Sequence, residues 1–337
     1  MKVPDFAFET ALTIPPKLRG TIVHSKAATA SPLKPTSSNL PCKSHFLSNP
    51  LRKRPVPYAS VIIPTYRDEQ RLQKCISALK GQEEFTNFEV IVVNNDSSDL
   101  KIAIPDSRFR VVAEKKPGSY AARNAGIKAA KGKVFCFTDS DCIPSVDWLH
   151  QGISTLELEG VDRISGRVQI FTQNYPLTPT ECHEKIFAFD QMQGLRHGPQ
   201  VTANLFARRE VFEDAGLFNE ELLSGGDTEW NMRAASKGFS ILYAPQAMVW
   251  HPARISWAEL SGQHFRIIGG CFSANKAYSL SPIRSYMPPM NAAKIILRAG
   301  EPLRTKALAF YVEYKLKIAR YNYLQDLRSG KARPKRV

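Results

Sequence analysis

The chain has no run of apolar residues approaching the roughly 18 that a membrane-spanning helix needs. It has no CxxC pair. Its six cysteines, at 42, 75, 136, 142, 182 and 271, are scattered, which argues against a structural zinc site or a disulfide framework and fits a reducing compartment. No secretory leader is expected at the N-terminus, where Asp5 and Glu9 interrupt the apolar residues and Pro15 and Pro16 follow. There is no internal repeat, no GxGxxG after any apolar run and no Walker A lysine motif, which removes the dinucleotide oxidoreductase that an α/β pattern first suggests. What remains is a globular composition. In 337 residues, 43% are apolar and 23% charged, enough for a real buried core and against wholesale disorder.

Charge is unevenly placed. Residues 1–57 hold nine Lys/Arg against two Asp/Glu, and 252–337 hold sixteen against four, while 58–251 is slightly acidic. Two basic ends on an acidic body suggest an anionic partner surface, phospholipid or nucleic acid, or simply solvated tails. Residues 1–57, rich in Pro, Ser, Thr, Ala and Lys, are expected to form a partly disordered arm.

The body is expected to alternate strands and helices. Tyr58–Pro64 is a short β-branched run and reads as a buried strand. A helix opens at Arg67-Asp-Glu-Gln, with Leu72, Cys75, Ile76 and Leu79 on one face and Gly81 at its end. A second strand, Phe88–Val93, runs into the turn chemistry of Asn94–Asp99. A third lies near 109–113. Ser119 is expected to cap an Ala-rich helix that ends at Gly132. A fourth strand, Val134–Thr138, ends in Asp139-Ser140-Asp141. This order predicts an α/β domain with a mainly parallel sheet. Ligands of such sheets bind beyond the carboxyl ends of the strands. The polar groups Thr65-Tyr66, Asn94–Asp99 and Asp139–Asp141 each follow a strand directly, so topology alone gathers them into a candidate site.

Five segments then carry a resemblance. Ser60-Val-Ile-Ile-Pro-Thr-Tyr66, Val92-Val-Asn-Asn-Asp-Ser-Ser-Asp99, Gly118-Ser-Tyr-Ala-Ala-Arg-Asn124, Thr138-Asp-Ser-Asp141 and Gly225-Gly-Asp-Thr-Glu-Trp-Asn-Met-Arg233 resemble, in order, the motifs of family 2 glycosyltransferases of the GT-A fold. The resemblance spans about 58–251. It implies an inverting enzyme that moves a sugar from a nucleotide-diphosphate donor to a hydroxyl acceptor, a glycan or lipid-linked glycan of cell-surface polysaccharide synthesis. A Rossmann-like GT-A body over 58–251 follows from it, and charge and helical spacing predict a basic helical extension over 252–337.

The departing diphosphate needs its charge neutralised, commonly by a divalent cation. By resemblance, Asp139-Ser140-Asp141 is the family's DxD motif. Asp139 then contacts the ribose or the metal shell, and Asp141 ligates Mg²⁺ or Mn²⁺, hard ions that take oxygen ligands. The plain alternative is a pair of helix-capping acids. His251 stands where relatives carry a further metal ligand, and a core or loop histidine fits equally. Pro64, Thr65 and Tyr66 form the loop that holds the donor base, with Tyr66 either stacking on it or packing in the core. Asn94 and Asn95 stand where relatives often carry Asp, and Asp96 takes over part of that role, unless the stretch is only a turn. Gly118 permits close backbone approach at a helix start suited to phosphate or ribose oxygens. Arg123 faces the base or diphosphate, or else a surface ion pair, and Asn124 completes the motif.

On the acceptor side, Asp227 is the candidate base, at a helix start whose positive end favours its ionised form. The family usually has Glu before this Asp; here it is Gly226. Glu229 and Arg233 form an i, i+4 pair. Trp230 is a wall for an acceptor sugar or plain core. Between 303 and 328, Leu303, Ala307, Phe310, Tyr311, Tyr314, Ile318, Tyr321 and Leu324 recur at helical spacing among basic residues. This is the pattern of an amphipathic helix that either touches an anionic membrane or docks on the body. A cytoplasmic protein, or one peripheral at the inner face of the plasma membrane, is expected. A non-catalytic scaffold on a degenerate glycosyltransferase body is the alternative; no nucleic-acid partner is expected, because no recognised binding motif appears.

Overall fold

The computed structural model describes residues 56–98, 106–189, 200–273 and 282–334. The arm expected over 1–57 lies outside them but for its last two residues, as do Asp99 and the final residues of the basic C-terminal run.

One eight-stranded sheet organises the chain, in the order β3-β2-β1-β4-β7-β6-β8-β5. β1 (Ala59–Thr65), β2 (Phe88–Asn94), β3 (Phe109–Ala113) and β4 (Val134–Thr138) pair in parallel. β7 (Asn204–Arg208) runs antiparallel to both β4 and β6 (Arg163–Phe171). β8 (Ile241–Pro252) is parallel to β6, and the two-residue β5 (Ile143–Pro144) pairs antiparallel with β8. The expected mainly parallel α/β sheet is therefore present, with two reversed strands. β1, β2 and β4 are covered on both faces and read as continuous apolar runs, as parallel strands must.

Helices fill both faces. α1 (Glu69–Lys80) buries Leu72, Cys75, Ile76 and Leu79, the predicted stripe, and Gly81 ends it. With α3 (Trp148–Leu158) it packs the core on one face, against Val61, Ile63, Val90 and Cys136. α2 (Ser119–Ala129), α5 (Arg209–Ala215) and α6 (Gly226–Ser236) pack the other, against Ile62, Ile91, Phe135 and Leu205. Two expectations for α2 change. Its N-cap is Gly118, with φ +130°, and Ser119 is already helical; the helix ends at Ala129, not Gly132. A positive φ there suits glycine and disfavours serine as the cap.

The C-terminal helices dock on the body rather than standing apart. α7 (Trp257–Ser273), α8 (Pro282–Tyr286) and α9 (Met290–Arg298) pack on α10 (Leu303–Arg328), which in turn lies against α4 (Pro179–Phe187). The joint is ionic and buried. Glu313 of α10 pairs with His183 of α4 at 2.8 Å and with Arg320 at 2.6 Å. The face α10 buries is Thr305, Ala309, Val312, Glu313, Leu316, Tyr323, Leu324 and Leu327. Of the predicted stripe only Leu324 is among them; Leu303 is 83% and Tyr311 57% exposed. Apolar spacing marked two faces of this helix, and packing against α4 and α7 selected the one that carries the glutamate.

Candidate active site

β1 and β2 end in register, Thr65 opposite Asn94, and Asn94 lies opposite Ala113 of β3. β4 finishes beside β1 at Thr138. The three polar groups foreseen from topology thus share one sheet edge. Pro64 and Thr65 are at the strand end, with the Thr65 hydroxyl buried and without a partner among the described residues. Tyr66 is 42% exposed, its ring 5.0 Å from the Arg67 guanidinium, so it is not a core aromatic.

The asparagines build the edge. Asn94 Nδ2 donates to the Ser98 carbonyl at 2.7 Å, and its Oδ1 accepts from the Asp96 amide. Asn95 Nδ2 donates to the carbonyls of Glu114 and Lys116, both at 2.8 Å, and its Oδ1 accepts from the Gly118 amide. Both side chains thus brace the loops at this edge. An amide both donates and accepts, so Asn95 can lock the β3–α2 loop where a carboxylate, having no donor, cannot. Asp96 is held by Arg67 at 2.9 Å and by Ser97 and Ser98, which keep its carboxyl far below the usual range. The Gly118 amide is taken by Asn95, and its φ of +130° suits glycine.

Asp139 and Asp141 follow β4. Asp141 Oδ2 lies 3.3 Å from His251 Nε2 and 3.8 Å from Arg71. Burial works to raise the Asp141 carboxyl, but His251, Arg71 and Arg254 outweigh it and hold the group below the ordinary range. His251, the penultimate residue of β8, is buried, and its Nδ1 sits 2.8 Å from the Pro252 carbonyl. A carbonyl only accepts, so Nδ1 carries the proton and Nε2 points its lone pair at the carboxylate. Two lone-pair groups at this distance need a proton or a cation between them. Burial lowers the imidazole's affinity for a proton, yet Asp141 raises it above the usual histidine range. A divalent cation fits this oxygen-and-nitrogen pair. Cys142 joins Asp141 and His251 in the same cluster, a neighbour the sequence reading passed over. Its thiol is fully buried and pushed far up, hence protonated and a poor ligand.

One turn of α2 links this pair to Asp227. Arg123, buried, contacts Asp139 Oδ1 through Nη2, and its Nε has no partner among the described residues. Tyr120, three residues earlier on the same face, donates from Oη to Asp227 Oδ1 at 3.2 Å. The Thr228 amide donates to the same oxygen at 3.0 Å. Burial pushes the Asp227 carboxyl above the usual range; Arg123 and these hydrogen bonds pull it part of the way back. Asn124, by contrast, is saturated by the Phe218 backbone and Glu220. It anchors the segment leading to α6.

The acceptor-side residues divide. Trp230 is completely buried, stacks on Phe212 at 4.1 Å and donates from Nε1 to the Gly216 carbonyl. It is core, which corrects its place as a sugar wall. Glu229 and Arg233 pair at 2.8 Å, and Arg233 also donates to the carbonyls of Ala215 and Leu217; they clamp α6 to α5. Gly226 is buried under the Tyr120 ring. Arg266 of α7 was missed altogether. Burial and Arg254 disfavour its charge, and Tyr120 and Asp139 favour it. A cation from the C-terminal helices thus faces the catalytic edge. No local pattern marks it, because only tertiary packing brings α7 there.

The chain matches the model of Glycosyl transferase family 2 over residues 60–216. It is 36% identical over 221 residues to the glycosyltransferase AglE of Haloferax volcanii, covering 63% of this chain and 72% of that protein. This chain belongs to glycosyltransferase family 2. It is a glycosyltransferase. A further relative is the UDP-Glc:alpha-D-GlcNAc-diphosphoundecaprenol beta-1,3-glucosyltransferase WfgD of Escherichia coli, 31% identical over 120 residues, 34% of this chain and 47% of that one. The mannosyltransferase PcManGT of Pyrobaculum calidifontis, solved with GDP-Man and Mn2+, shares the GT-A fold, with a TM-score of 0.52 at 16% identity over 83% of this chain and 89% of that one. Asp227 lies beyond the end of the family match. Nothing in the fold or the relatives supports the scaffold alternative.

Proposed function

We propose that this glycosyltransferase inverts the anomeric centre, with Asp227 as the base, and that its acceptor is a lipid-linked glycan. One observation carries the assignment of Asp227: a single turn of α2 touches Asp139 with Arg123 and Asp227 with Tyr120. Asp139 and the base are therefore bridged by one face of a single helical turn. The donor base lies against Tyr66, with Pro64 and Thr65 beneath it. Arg123 and Arg266 face the diphosphate. Asp141 and His251 hold a divalent cation, with Asp139 beside them; when bound, that cation neutralises charge building on the leaving diphosphate. A nitrogen ligand favours Mn²⁺ over Mg²⁺, which prefers oxygen and water. The acceptor hydroxyl gives its proton to Asp227 as its oxygen attacks the anomeric carbon from the face opposite the diphosphate.

Within this reading, 58–251 carries the donor chemistry and 252–337 closes the acceptor side. The exposed apolar residues Tyr286, Met287, Met290, Leu297, Leu303 and Tyr311 crowd the C-terminal helices. Lys294, Arg298, Arg304 and Lys315 accompany them there. Among the described residues no helix is long and apolar enough to cross a membrane. Exposed apolar side chains among basic ones suit the surface of an anionic leaflet, where a lipid-linked acceptor is found; the cytoplasmic leaflet is the one proposed. Failure to float with phosphatidylglycerol vesicles would count against the membrane part alone.

Asp227→Asn tests the base. Transfer is expected to fall about 10²–10⁴-fold, with nucleotide-sugar binding retained, measured by thermal shift with Mn²⁺ across a donor panel. Transfer near the wild-type rate removes Asp227 from the mechanism.

A further inference from the structure

Tyr120 stands between two parts of the site that no local motif connects. Its phenol is 7% exposed. The oxygen accepts from the Gly226 amide at 2.9 Å and donates to Asp227 Oδ1 at 3.2 Å. The Gly226 amide is among the first N–H groups of α6, which have no partner within the helix. One hydroxyl therefore satisfies the helix start and holds the carboxylate of the next residue. The ring is equally constrained. A Cβ on Gly226 would lie 2.8–2.9 Å from three of its carbons, closer than carbon atoms pack. Phe218 flanks the ring at 6.0 Å. Residues 120 and 226 are thus one fitted pair, a bulky phenol opposite an absent side chain.

We propose that Tyr120 is a positioning residue for the Asp227 carboxylate, and that position 226 is glycine because the Tyr120 ring fills the space a side chain there would need. The inference deepens the reading of Asp227 as the base and rests on it. With the bonds from Tyr120 and Thr228 both ending on Oδ1, Oδ2 is the oxygen that takes the acceptor's proton. As that proton moves to Oδ2, the acceptor oxygen bonds to the anomeric carbon. The bond from that carbon to the diphosphate breaks, and its electron pair leaves on the diphosphate oxygen. The phenol donates to the ionised carboxylate, so it works against burial and keeps the base available at lower pH. The charged groups facing the pair are Arg123 of α2 and, toward Tyr120, Arg266 of α7. Burial holds the phenol itself neutral far into the alkaline range, so it remains a donor wherever the enzyme works.

Tyr120→Phe removes the hydroxyl and keeps the ring. Carbon-13 NMR of carboxyl-labelled aspartate, with Asp227→Asn identifying the resonance, follows the base directly and needs no substrate. The Asp227 titration in Tyr120→Phe is expected about one unit higher than in the wild type, since a hydrogen bond to a charged group is worth about that much. In hydrolysis of whichever of UDP-glucose, UDP-N-acetylglucosamine and GDP-mannose the wild type turns over, kcat is expected to fall about tenfold with KM unchanged. The acid limb of the rate profile is expected to move the same way as the resonance. Gly226→Ala, which displaces the ring and leaves the hydroxyl in the chain, is expected to shift the titration in the same direction. An unmoved Asp227 titration in both variants overturns the inference, as does an equal loss of rate at every pH. If the resonance moves but Asp227→Asn still transfers, the positioning contact stands and the base reading falls.

Discussion

Asp141 and His251 are 110 residues apart in the chain and 3.3 Å apart in the fold, and the proposed cation would lie between them. Asp141→Ala is expected to weaken nucleotide-diphosphate binding in Mn²⁺ but not in chelator, where no cation is present to lose. Isothermal titration under both conditions checks it, and equal loss in both would count against the metal role. Asn95 is a different kind of residue, with three hydrogen bonds to backbone groups of one loop. Asn95→Ala is expected to cost about 2 kcal/mol of stability, judged from the net worth of buried hydrogen bonds, and to lower donor affinity indirectly by loosening the loop. Chemical denaturation separates this from a contact to the donor base, which would change affinity without changing stability.

At the scale of elements, the four strand–loop units of the parallel half were legible because burial on both faces writes each strand as an apolar run. α1 was legible to the residue, since its buried stripe has helical period and its end carries Gly81. α6 was legible as a helix start, but the roles within it were not. Spacing puts Asp227 and Trp230 on one face without saying which half of that face meets solvent. Packing decides it: Trp230 stacks under Phe212, and Asp227 stops one turn short, under Tyr120. Trp230→Ala is accordingly expected to destabilise by about 3–5 kcal/mol, as large aromatic truncations in cores do. A thermal melt checks this; a loss of acceptor binding at unchanged stability would restore the sugar-wall role.

Over the whole molecule, the C-terminal helices are held by a buried network as well as by apolar contact. Burial raises the Glu313 carboxyl, but Arg320 and His183 outweigh it and bring it down to about 2. The folded state thus holds this proton less tightly than the unfolded chain does. The stabilisation it contributes is complete above the ordinary Glu value of 4.5 and is lost as pH falls from there toward 2. Glu313→Ala leaves Arg320 without its counter-charge and the buried His183 without its partner. It is expected to cost about 3–5 kcal/mol and to flatten the acid limb of stability against pH, measured by urea denaturation at several pH values. Because Arg266 reaches the catalytic edge from the same helical layer, the variant is also expected to lower activity under mild destabilisation.

The amino-acid sequence by itself determined the four parallel strands and first helices of the GT-A body, and that three polar loops meet at one edge. Those are consequences of period, turn chemistry and chain connectivity, which act locally. Tertiary structure alone decided what each polar side chain does there: that Asn94, Asn95 and Asn124 brace loops, that Tyr120 bonds Asp227, that Trp230 is core and that Arg266 arrives from a distant helix. Hydrogen-bond saturation and burial depend on neighbours far away in the chain, and no spacing rule encodes them.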